Sequence, residues 1–120
     1  PLYFNLLLGN IAGAQASLLH AGIMINDLPE NSIWALAGIG DSQLMMNSIA
    51  IASGGGVRVG LEDMIYFNEE RTHLAKNEDL LQRIHQIIKA NGKTMMESKK
   101  LRELLHLNPG FGLYGRKKVI

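Results

Sequence analysis

At 120 residues, 47% hydrophobic and 19% charged, the chain has the size and composition of one folded domain, which argues against a disordered one. With 12 Lys+Arg against 11 Asp+Glu the formal charge is +1, so there is no broad electrostatic case for binding nucleic acid or an anionic membrane. The absence of cysteine excludes disulfides, thiolate metal sites and cysteine nucleophiles, and fits a reducing compartment, with the cytoplasm as the expected location.

The chain opens at Pro1, directly in the apolar run LYFNLLLG (2–9), which is expected to form a buried strand and suggests a piece of something longer. Neither a signal peptide nor a stretch of about 18 apolar residues is visible. AGAQASLLHAGIMINDL follows, with Ala14, Leu18, Ala21 and Ile25 at helical spacing before Pro29. SIWALAGIG (32–40) is a second strand, after which Asp41 or Ser42 is placed to cap the helix SQLMMNSIAIAS. Met45 and Met46 are read as packing residues of that helix. The triple glycine 54–56 stops it, and GVRVGLED is expected as a third strand. Residues 64–76 have no clean period and are expected to form a long loop. Asn77 is the expected N-cap of a helix whose apolar set is Leu80, Ile84, Ile87 and Ile88 and which stops at Gly92. A further helix is expected over 97–107, and the tail GFGLYGRKKVI is expected to dock as an arm.

Three strand-then-helix units predict a parallel sheet, either covered by helices on both faces or forming part of a barrel ringed by them. The charged residues of GVRVGLED bear on that choice. If the run is one strand, Arg58, Gly60 and Glu62 share a face opposite Val57, Val59 and Leu61. Pressing that face against a helix costs several kcal/mol per ion, whereas in a (β/α)8 barrel it opens into the lumen, near the strand ends where such barrels build active sites. The structural alternative is a buried Arg58–Glu62 ion pair with Asp63 starting a turn.

GGGVRVGLED, together with MIYF, KNEDLLQRIHQIIKANGK, ESKKLRELLHL and the preceding LPENSIWALAGIGDSQ, resembles the C-terminal part of the beta-keto acid cleavage enzymes. The resemblance implies a TIM (β/α)8 barrel, of which residues 1–96 supply the last three βα units and 97–120 a C-terminal helix and docking tail. It implies zinc and acetyl-CoA, with a beta-keto acid converted to acetoacetate and a new acyl-CoA. By motif position Glu62 is the zinc carboxylate, joined by two histidines from the missing N-terminal barrel portion. Arg58 orients the anionic substrate, and Asp63 takes part in proton transfer. A homo-oligomer is also implied. Met64 and Asp41 depart from the residues common at their positions, a polar one and a basic one.

The rival readings are another metal-dependent aldolase or lyase barrel and a truncated chain acting as an interaction module. GIGDSQ imitates a dinucleotide fingerprint but has Gln43 in place of the third glycine, and GNIAG lacks the Gly-Lys-Ser/Thr ending of a P-loop. His20, His73, His85 and His106 have no metal-ligand spacing. Of these, His73 in the loop after the third strand is the one best placed to reach a ligand. The basic groups around Lys99 and Lys117 are read as a solvated face.

Overall fold

A computed structural model of the chain describes residues 1–108. The expected docking tail and its basic residues lie outside the described residues.

The three strands are β1 (Tyr3–Leu8), β2 (Ile33–Gly38) and β3 (Gly56–Val57), and the helices are α1 (Leu18–Asn26), α2 (Gln43–Ser53), α3 (Asn77–Ala90) and α4 (Ser98–Leu104). The strands form one parallel sheet in the order β1-β2-β3, with Leu6 opposite Leu36 and Leu36 opposite Val57. Because partners in register share a face, Phe4, Leu6, Leu8, Trp34, Leu36 and Val57 all point the same way. They pack into one core with Ala21, Met24 and Ile25 of α1 and Met46, Ile49 and Ala50 of α2. Both crossover helices therefore lie on one face of the sheet, which rules out the expected alternative of helices on both faces for these two units. The other face of β1 is open, with Tyr3, Asn5 and Leu7 exposed.

The helix-initiation signals are used differently from the expectation. α1 starts only at Leu18, where Ser17 accepts the N–H of His20 at 3.2 Å, so the preceding AGAQA is loop rather than helix. Ser42 does stand at the N-cap of α2, as one of the two expected residues, but its side chain makes no capping bond. The Ser42 hydroxyl donates back to Ile39 O at 2.7 Å, and a single 3-10 turn, Gly40–Ser42, leads into the helix. The glycine stop is as expected. Gly54 closes α2 at φ +84°, a conformation that costs other residues free energy, and a Cβ on Gly55 would stand 2.2 Å from the Trp34 ring. α3 packs against α2, and its Leu80 and Ile84 are buried. No helix among the described residues is long and apolar enough to cross a membrane.

GVRVGLED is not one long strand. Arg58 N–H still reaches Leu36 O at 3.2 Å, but Gly60 O then accepts the N–H groups of Asp63 (3.2 Å) and Met64 (3.4 Å), so the chain turns at Gly60–Asp63. The strand-face grouping of Arg58, Gly60 and Glu62 does not hold beyond Arg58.

Candidate active site at the strand ends

The turn after β3 sits beside the turn after β2, and Gly40 N–H donates to Asp63 O at 2.7 Å across the two. Within it Arg58 Nη2 bonds Glu62 Oε1 at 2.7 Å and Asp63 Oδ1 at 3.1 Å. One guanidinium nitrogen thus gathers both carboxylates. Their surroundings differ sharply: the Glu62 side chain is 82% exposed, that of Asp63 only 4%, and that of Arg58 29%. The three residues singled out from sequence are therefore brought together, with Glu62 presented to solvent and Asp63 held beneath the arginine.

Three side-chain amides hold this segment. Asn47 Nδ2 donates to Arg58 O (2.9 Å) and Leu36 O (3.2 Å), and Gln43 Nε2 donates to Gly60 O (2.9 Å). Asn77 Oδ1 accepts Leu61 N–H at 3.0 Å. Asn77 is thus not the N-cap expected of it. Lys76 occupies that position, its N–H bonded to the Asp79 carboxylate at 3.3 Å. The amide grip was missed by sequence reasoning. Its one local signal is Gln43 and Asn47 four residues apart on a helix face otherwise made of Met46, Ala50 and Ile51.

Next to the turn, a cleft of about 370 Å³ opens between the start of α2 and residues 64–69, with Gln43, Met45, Met64, Tyr66 and Arg83 among its lining. Met46 is buried in the core as expected, but Met45 is exposed at this cleft. Arg83 lies 4.3 Å over the Phe67 ring and donates to Phe67 O at 2.7 Å. Burial lowers its pKa from the ordinary arginine value. Residues 64–76 form the expected irregular loop, pinched by a single antiparallel bridge between Tyr66 and Leu74. Its Arg71 clasps Asp41 through two bonds, at 2.7 and 3.3 Å, and the carboxylate raises the arginine pKa. His73 stacks obliquely on Phe67 at 5.8 Å.

Among the described residues no group of three or more histidine, aspartate or glutamate side chains could hold a metal ion. The exposed Glu62 carboxylate is a single oxygen donor of the kind zinc accepts.

A parallel βα sheet whose crossover helices share one face, with an arginine and two carboxylates at its strand ends, defines an α/β domain with a charged site. A family model described as beta-keto acid cleavage enzyme matches residues 1–107. The chain belongs to the beta-keto acid cleavage enzyme family. It is 36% identical over 108 residues to a 3-keto-5-aminohexanoate cleavage enzyme of Fusobacterium nucleatum subsp. nucleatum, covering 89% of this chain and 38% of the relative. A protein of the same name from Acetoanaerobium sticklandii is 29% identical, with 90% and 39% covered. The 3-dehydrocarnitine:acetyl-CoA trimethylamine transferase of Rhizobium meliloti is 29% identical, with 89% and 35% covered. The chain thus spans less than two-fifths of the length of these relatives.

Proposed function

We propose that this chain forms the last three βα units of a (β/α)8 barrel that reacts a beta-keto acid with acetyl-CoA, giving acetoacetate and a new acyl-CoA. The observation that carries the reading is the Arg58–Glu62–Asp63 cluster at the C-terminal end of the third parallel strand. The sheet supports the barrel, because consecutive strand order with helices on one face leaves the opposite face to become a lumen. The open face of β1 is where the strands of the N-terminal barrel portion would enclose that lumen.

In this reading Glu62 is the carboxylate ligand of a zinc ion, completed by two histidines from an earlier strand. When bound, zinc supplies Lewis-acid polarisation of the keto acid carbonyl. Arg58 orients the anionic substrate, since its guanidinium offers a planar fork to a carboxylate. Asp63, held with one oxygen on Arg58, serves proton transfer from the keto acid's α-carbon, the carbon that must attack the acetyl-CoA carbonyl if acetoacetate is to form. α4 docks on the barrel or on a second subunit of a cytoplasmic homo-oligomer in this reading.

The test is to incubate the polypeptide carrying the whole barrel with acetyl-CoA and a panel of beta-keto acids, and to measure acetoacetate and acyl-CoA formation. Product formation that Glu62→Gln abolishes supports the reading. Turnover of a keto acid without transfer of CoA would instead favour a different metal-dependent lyase.

A further inference from the structure

Gln43 and Asn47 stand one helical turn apart on the inward face of α2, where they are 2% and 0% exposed among apolar neighbours. Their nitrogens are bonded, but Gln43 Oε1 and Asn47 Oδ1 are buried with no partner among the described residues. A buried polar atom left unbonded costs free energy, and an apolar side chain of similar shape avoids that cost. Packing stability therefore does not account for two amides here. What they do is hold backbone: Arg58 O and Gly60 O from one side, while Asn77 takes Leu61 N–H from α3 on the other. Three amides from two helices thus grip the peptide groups that flank the two candidate carboxylates.

We infer that Gln43, Asn47 and Asn77 are positioning residues of the site, fixing the Gly60–Asp63 turn so that Glu62 faces outward to its ligand while Asp63 stays on Arg58. This rests on the function proposed above. All three bond backbone groups rather than the carboxylates themselves, so their effect is expected in metal affinity and the chemical step rather than in acetyl-CoA binding.

Two substitutions in the whole-barrel polypeptide test this. Gln43→Met is nearly isosteric and removes the unbonded oxygen along with the bond to Gly60. Asn77→Ala removes the Leu61 bond at a helix end where alanine is a better helix former. Loss of a group that supports metal ligands typically lowers metal affinity or activity about 10- to 100-fold. The expected result is a zinc affinity, titrated with the metal alone, and a kcat each lowered by about tenfold or more, while KM for acetyl-CoA stays within about twofold. Folded variants that keep zinc affinity and kcat within about twofold of the parent overturn the inference. If Gln43→Met unfolds, Asn77→Ala decides alone. A parent polypeptide that neither binds zinc nor cleaves any keto acid fails the proposed function itself, and that outcome is visible before any variant is made.

Discussion

Removing one carboxylate at a time from Arg58 separates a structural role from a chemical one. The Glu62 side chain is 82% exposed, and exposed ion pairs contribute about 0–1 kcal/mol, so Glu62→Ala is expected to cost about 0.5 kcal/mol. Asp63 is a different case, its side chain being 4% exposed. Breaking a fully buried pair costs about 3–5 kcal/mol. Arg58 is 29% exposed and keeps Glu62, which reduces the expected cost of Asp63→Ala to about 2 kcal/mol. With a urea m-value of about 2 kcal/mol/M, the midpoints fall by about 0.25 M and about 1 M respectively. Equilibrium unfolding can be followed by the fluorescence of Trp34, the one tryptophan of the chain. A Glu62→Ala midpoint lowered as far as that of Asp63→Ala would make Glu62 a structural partner of the arginine and refute its assignment as an outward-facing ligand.

Leu36→Ala, in the fully buried centre of β2, is expected to cost about 3–5 kcal/mol, read from the same unfolding curves. Gly55→Ala places a methyl against the Trp34 ring; the strand or the ring must shift, so a loss of about 1–3 kcal/mol and a displaced Trp34 emission maximum are expected. Asp41→Asn weakens the exposed clasp on Arg71; faster amide exchange between residues 64 and 76 with an unchanged urea midpoint is the expected pattern. If Glu62 is the zinc ligand proposed above, Glu62→Gln in the longer polypeptide is expected to lower zinc affinity measured calorimetrically while leaving the urea midpoint within about 0.3 M of the parent.

The elements legible in the sequence are those set by local physics. Tyr3–Leu8 and Ile33–Gly38 are apolar runs that end at glycine or just before one, and α2 and α3 end where Gly54 and Gly92 take positive φ. The site residues Arg58, Glu62 and Asp63 are legible as charges out of place in a valine-rich run. Their arrangement is not. A two-residue strand followed by a turn looks from sequence like a strand of eight, because the groups that bend it come from residues 40, 43 and 77. The capping signals fail for a related reason. Asp41, Ser42 and Asn77 have the side chains that caps need, but each has a competing partner: Arg71, Ile39 O and Leu61 N–H.

That competition connects fold to chemistry. A turn that carries two carboxylates beside one arginine is not a stable arrangement by itself, since the acids repel each other and only one guanidinium nitrogen joins them. In this chain the turn closes on itself through Gly60 O and is also held from outside: Arg58 N–H and O, Gly60 O, Leu61 N–H and Asp63 O bond to β2, to the Gly40 turn or to amides of α2 and α3. With its peptide groups fixed, the turn can hold Asp63 buried and Glu62 exposed one residue apart, which sequence spacing alone does not specify. The same constraint accounts for the polar side chains on the inward face of α2: a helix serving only to cover the sheet has no use for them, whereas a helix that also holds the Gly60–Asp63 turn does.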